Sequence, residues 1–256
     1  VVHSIGGWFA LAGAVVVGPR IGKYTPDGSS NRMGLHNIPL ATLGTFFLWF
    51  GWFGFNAGSA LAANATAVLA FATTNAASAA AAIAWIFFDA MRGKKPSALG
   101  AAVGAVVGLV AITPGAGYVN IGQSIFIGTV ASLISNMAVN WKAKSTIDDT
   151  LDVFPCHGLG GIVGMFFTGV FANGVGLIYG TTNTFMVHIA ALIGVSIFSL
   201  GGSFILFKFI DFIIPLRVSE EQELLGLDLS QHGEGDFTYQ EPNQIINKHV
   251  TQTILQ

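Results

Sequence analysis

Three long blocks of the sequence contain no Lys, Arg, Asp or Glu: 56 residues between Arg32 and Asp89, 46 between Lys95 and Lys142, and 55 between Asp152 and Lys208. A single membrane span needs about 20 apolar residues, so each block predicts two helices joined by a short turn. The opening apolar run from Val1 to Pro19 predicts one more, for an expected total of seven transmembrane helices. The predicted turns inside the blocks fall around Asn56–Asn64, at "TPGAGY" (113–118) and at "NGVGLIYGTTN" (173–183). Those three connections carry no charge. All eleven Lys and Arg lie in the other connections, at the end of the last helix or in the tail. The positive-inside rule assigns those connections and the C-terminus to the cytoplasm. The first span is then expected to run inward and the sixth outward.

Composition agrees with this pattern. Hydrophobic residues make up 52% of the chain and charged ones 9%, against about 25% charge in soluble domains. The expected fold class is an all-α polytopic membrane protein. Residues 1–216 form its transmembrane part and 217–256 a cytoplasmic tail. The net charge of −2 implies no nucleic-acid partner. Cys156 is the single cysteine, which excludes an intramolecular disulfide and a Cys-rich metal site. The chain opens at Val1, inside an apolar helix and two residues before His3. The expectation is that an N-terminal part is missing from this sequence, with natural truncation as the alternative.

Small residues predict close helix packing. Gly100, Gly104 and Gly108 form a GxxxGxxxG ridge, and "NAASAAAAIA" (75–84) gives the third span a thin face. In lipid such faces pack by van der Waals contact rather than by hydrophobic force. A second regularity is a repeat, "VHSIGG" at 2–7 and "CHGLGG" at 156–161. The two copies sit on spans expected to run in opposite directions, as inverted transporter repeats do.

An ionisable residue in the apolar core is a functional candidate by default. His3 and His157 lead the two repeat copies, and a pair of imidazoles can share a proton along an apolar path. Two His without a carboxylate or third ligand make a poor zinc site, so neither metal nor cofactor is expected. His188 reads as structural, and His36, His232 and His249 carry no signal. In "GWFGFNAGSAL" (51–61), Trp52, Phe53 and Phe55 are too close together to share one helical face, so at least one is expected to point inward. An aromatic face attracts a small cation by about 0.5–2 kcal/mol, and Ser59 could accept a hydrogen bond from it. Trp49 reads as an interfacial belt residue.

These segments, with "DVFPCHGLGGIVGMFFTGVFA" and the tail "LRVSEEQELLGLDLSQHGEGDF", resemble the ammonium transporter family (Amt/Mep/Rh) on its Amt side, over residues 1 to about 237. The resemblance implies an eleven-helix fold of two inverted five-helix repeats plus a long last helix, of which this chain is the C-terminal part. It implies homotrimers in the lipid bilayer with one ammonium/ammonia pore per subunit. His3 and His157 match the family's twin pore histidines, Phe55 one of its gating phenylalanines, and Ser59 the hydroxyl of its outer ammonium site. Asp152 matches a buried acidic residue that supports the pore. The first gating Phe, an outer Trp and an Asp before the first histidine belong to the part absent here.

Helix geometry adds one expectation. His3 lies about 22 Å above the inner end of its helix and His157 about 7 Å past Asp152 at 1.5 Å per residue. The rings could meet only if the sixth helix begins inside the protein, with Asp152 as its N-cap and Pro155 in its first turn.

Three other readings compete. A retinal protein is disfavoured because Lys208 lies about 37 Å along the last helix, beyond an apolar core of about 30 Å. An intramembrane enzyme lacks HExxH, GxSxG or paired carboxylates. An ammonium-binding sensor signalling through its tail is the serious alternative. The tail itself is acidic and leucine-bearing, and Leu224, Leu225, Leu227 and Leu229 are expected to dock residues 218–237 on the basic loops carrying Arg20, Lys23, Arg32, Arg92, Lys94, Lys95, Lys142 and Lys144. Residues 240–256 are expected to stay solvated. The resemblance adds a PII-type regulatory protein docking nearby.

Overall fold

The computed structural model describes residues 1–25, 29–31, 33–34 and 36–234. Arg32, His249 and the end of the tail, including 235–237 and 240–256, lie outside the described residues. The chain divides into two compact units, Val1–Ile214 and Pro215–Gln256.

Among its described residues the first unit is a bundle of seven apolar helices: α1 (Val2–Val17), α2 (Ile38–Gly58), α3 (Ala65–Met91), α4 (Ala98–Ile112), α5 (Ile121–Lys142), α6 (Gly160–Phe171) and α7 (Asn183–Ile213). A π-helical stretch, Phe154–Leu159, runs directly into α6. Five of these segments, counting Phe154–Phe171 as one, are long and apolar enough to cross a membrane. The other two are shorter, α1 with 16 residues and α4 with 15. Pro114 helps to explain why α4 stops early, since its ring removes the next backbone donor.

The helix starts follow from local chemistry. Asn37, Asn64 and Ser97 each accept a hydrogen bond from a backbone N–H three residues on, at 2.8, 3.0 and 3.0 Å. Asn120 and Gln123 form a reciprocal capping box at the start of α5. These polar caps satisfy amide hydrogens that would otherwise be orphaned at a helix end.

Packing centres on α3, α4 and α5. On α4, Val107, Leu109, Val110, Ala111 and Ile112 are fully buried. The expected glycine ridge lies against α3. A Cβ on Gly104 would lie 2.7 Å from the Trp85 Cβ, and one on Gly108 only 2.5 Å from the Ala77 carbonyl oxygen. Gly128 of α5 approaches the same carbonyl, with a hypothetical Cβ at 2.3 Å. Ala77 is thus clasped between two glycines from different helices. At this spacing side-chain hydroxyls can reach across: Ser78 Oγ donates to the Ala105 carbonyl at 3.0 Å and Ser132 Oγ to the Ala81 carbonyl at 2.7 Å. Such interhelical bonds average about 0.6 kcal/mol in membranes. By contrast, α2 buries only Asn56, whose amide donates to Thr74 Oγ1 at 2.9 Å.

Among its described residues the second unit contains a short helix, α8 (Glu220–Leu225), and a π-helical turn, Asp228–His232. Ser219 and Gln222 cap it reciprocally, and Arg217 pairs with Glu223 at 2.8 Å. Within this unit Leu224, Leu225 and Leu227 are exposed.

Gly128→Ala should destabilise the protein by about 1–3 kcal/mol, the usual range for overpacking, because its methyl group would meet a backbone carbonyl. Gly194→Ala is the control, since a Cβ there meets nothing within 4 Å. Thermal unfolding in detergent should separate the two variants; equal melting temperatures would contradict the clasp.

Candidate functional site: two histidines beside an aromatic groove

His157 is carried by a helix whose first amides are capped by a buried carboxylate from the loop before it. Asp149 is buried, and its carboxylate accepts hydrogen bonds from Val153 N at 3.0 Å and Phe154 N at 2.8 Å. Pro155 has no N–H to satisfy, and Cys156 N donates to the Asp152 carbonyl at 3.0 Å. Every donor of the first turn is therefore used. The N-cap role expected of Asp152 falls to Asp149. Asp152 adopts a left-handed backbone conformation (φ 55°), which acidic residues tolerate better than most. Its carboxylate pairs instead with Lys142 Nζ at 2.5 Å. Asp152 is thereby tied to the end of α5 rather than to the helix start.

The two repeat copies meet through their glycines. A Cβ added to Gly7 would lie 2.2 Å from the Gly158 Cα, so the backbones of α1 and the π-helical stretch touch there. Gly161 makes a second close approach, its hypothetical Cβ lying 2.8 Å from Ser4 Oγ and 3.2 Å from the His3 Cβ. This contact brings the His3 and His157 ring centroids to 5.8 Å.

Around His3 the structure gathers most of the expected site. Trp52 stacks on its ring with centroids 5.2 Å apart, and Phe55 stands 6.1 Å away. Phe53 points elsewhere and stacks on Phe71 at 4.0 Å, so the three crowded aromatics do divide between faces. An apolar cavity of about 520 Å³ opens beside them, lined by Val2, His3, Gly44, Phe47, Leu48, Gly51, Trp52 and Phe55. Ser59 is not drawn into this group by any hydrogen bond; its hydroxyl donates back to the Phe55 carbonyl at 2.5 Å. His188 bonds through Nδ1 to the Thr184 carbonyl of its own helix at 2.7 Å.

Two residues of this neighbourhood lay beyond sequence reasoning. Asp149 differs from its neighbours Asp148 and Asp152 only in backbone setting. Thr113, read only as part of a turn, accepts from Trp52 Nε1 at 2.9 Å and lies 3.3 Å from His3 Nε2. Those contacts cross 61 and 110 positions. Among the described residues, no three His, Cys, Asp or Glu side chains gather closely enough to hold a metal ion.

At the basic end of the bundle, Arg20 grips Asp148 with two parallel side-chain bonds of 2.8 Å and a backbone N–H bond of 3.0 Å. This joins the loop after α1 to the loop after α5. The hydrogen bonds from Arg20 hold the Asp148 carboxyl below its ordinary range, against the opposing effect of burial. Burial pushes Asp152 the other way, with Lys142 pulling it back.

Five segments long and apolar enough to cross a membrane, with histidines and aromatics beside an apolar cavity, give the outline of a multi-pass membrane protein. The family described as Ammonium Transporter Family matches residues 1–237. Ammonium transporter Amt2 of Archaeoglobus fulgidus is 40% identical over 245 residues, covering 91% of this chain and 52% of the relative. An ammonium transporter of Aquifex aeolicus is 43% identical over 240 residues, covering 91% and 55%. Among solved structures, a Sensor Amt Protein superposes with a TM-score of 0.84 at 39% identity, covering 90% of this chain and 58% of that one. Candida albicans Mep2 gives 0.80 at 35% identity, covering 90% and 53%. The chain belongs to the ammonium transporter family, and it spans about half the length of the curated relatives it matches.

A carboxyl with a lowered folded-state pKa contributes stability above its unfolded value of about 3.9 and loses it as pH falls through the folded value. Asp148→Asn should therefore melt earlier than wild type at pH 7, and the gap should close below about pH 4. Melting curves in detergent between pH 7 and 3 would show this. A gap that stays constant would contradict the assignment.

Proposed function

We propose that the complete protein moves ammonium across a membrane by taking the cation at an aromatic entrance and passing neutral ammonia along an apolar path beside His3 and His157. The observation that carries this reading is the meeting of the two imidazoles, 5.8 Å apart, with Trp52 and Phe55 ranged beside His3 over an apolar cavity. A cation is attracted to ring faces by about 0.5–2 kcal/mol, while its charge is costly in an uncharged interior. Transfer of one proton from the cation to solvent water at the boundary between the two leaves neutral ammonia and resolves that conflict. The imidazoles then offer the neutral molecule a donor and an acceptor within the apolar path.

In this reading Phe55 gates the entrance, and Trp52 and Ser59 contribute to cation recruitment. Ser59 must turn its hydroxyl away from the Phe55 carbonyl to do so. Asp152 supports the turn that carries His157. The loops rich in Lys and Arg face the cytoplasm, as does the tail. The complete protein works as a homotrimer, and a PII-type protein regulates it from that side. Likeness to a Sensor Amt Protein favours a second reading, in which the same site binds ammonium and reports it without much flux.

Flux separates the two. The complete protein in liposomes should conduct ammonium, and His3→Ala or His157→Ala should change conductance or selectivity. Wild-type behaviour in both single variants would remove the histidines from the path. Tight ammonium binding with no measurable flux would favour the sensor.

A further inference from the structure

The Thr113 hydroxyl has one hydrogen and two lone pairs, and three groups contact it. The Leu109 carbonyl, four residues back in α4, lies 2.8 Å from Thr113 Oγ1. A carbonyl can only accept, so this bond consumes the hydroxyl hydrogen, in the back-bonding pattern common for Thr on helices. The Trp52 indole can only donate, and its Nε1–H occupies one lone pair at 2.9 Å. One lone pair is left, and the remaining neighbour is His3 Nε2 at 3.3 Å. This contact is longer than the other two, but its polarity follows from them: the nitrogen has to donate.

We infer that Thr113 is a positioning residue that fixes neutral His3 as its Nε2–H tautomer. Nδ1 of His3 is then a bare acceptor. If the neutral rings share a hydrogen bond through that atom, His157 supplies the hydrogen. The same hydroxyl anchors the indole that stacks on His3, so a single oxygen sets both the orientation of the Trp52 ring and the proton position on the imidazole. The link to conduction rests on the function proposed above; the tautomer does not.

Nitrogen NMR on the complete protein in liposomes, with 15N-labelled histidine and His3→Ala to assign the signal, reads the tautomer directly. Wild type should show His3 protonated on Nε2 and bare on Nδ1. Thr113→Val keeps the side-chain shape without the hydroxyl, so the Nε2–H preference should be lost. Thr113→Ser keeps the hydroxyl and should retain it. An Nδ1–H tautomer in wild type, or an unchanged spectrum in Thr113→Val, would overturn the inference. Should Thr113→Val fail to fold, the wild-type spectrum still decides. A tautomer that shifts in Thr113→Val while ammonium flux stays at the wild-type level would uphold the inference and show that conduction does not depend on which His3 nitrogen carries the proton.

Discussion

A helix can begin inside a membrane bundle only where something accepts its first amide hydrogens, because no water is available there to do so. In this protein the acceptor is the buried carboxylate of Asp149, which takes the N–H groups of Val153 and Phe154. The rest of the site depends on that pair of bonds. They let the chain enter its sixth helix through Pro155 at a depth where His157 faces His3, without leaving a donor unsatisfied. The surrounding charges support this start from the other side: Lys142 holds Asp152, and Arg20 holds Asp148. Three aspartates within five residues thus have three different jobs.

Once the helix start is fixed, close packing sets the geometry. Gly7 against Gly158 allows two backbones to touch, and no side chain can be added at that contact without moving them apart. The last glycine of each repeated motif, Gly7 and Gly161, makes the close approach that lets the histidines meet. The same logic holds in the α3–α4–α5 core, where Gly108 and Gly128 close on Ala77. Within this tight packing the Ser78 and Ser132 hydroxyls reach carbonyls on neighbouring helices. The consequence is a site whose parts come from α1, α2, α4 and the π-helical stretch, with the approach of α1 to the π-helical stretch leaving the least slack.

Much of this was legible in the sequence, and the remainder was hidden for physical reasons. Charge-free blocks announced the helices, since lipid imposes a strong compositional signal. The crowding of Trp52, Phe53 and Phe55 was enough to split them between faces. The GxxxGxxxG ridge was recognisable as a packing surface, but not its partner, because spacing along one helix says nothing about which helix it meets. Asp152 was expected as the cap and Asp149 does the capping. The difference lies in a left-handed backbone at Asp152, which the letters "DDTLD" do not display. Thr113 was invisible as a site residue because its contacts to Trp52 and His3 bridge distant parts of the chain. The expected spans of about 20 residues were also too long for α1 and α4, with 16 and 15 residues.

The central claim is that the Asp149 carboxylate creates the helix start that brings the two histidines together. The most direct measurement is an electron-microscopy structure of the complete protein in lipid, as wild type and as Asp149→Ala. In wild type the His3 and His157 ring centroids should lie near 5.8 Å. In the variant the turn at Val153–Phe154 should unwind and the His157 ring should withdraw from His3. An unchanged helix start, with the rings still at the wild-type separation, would contradict the account.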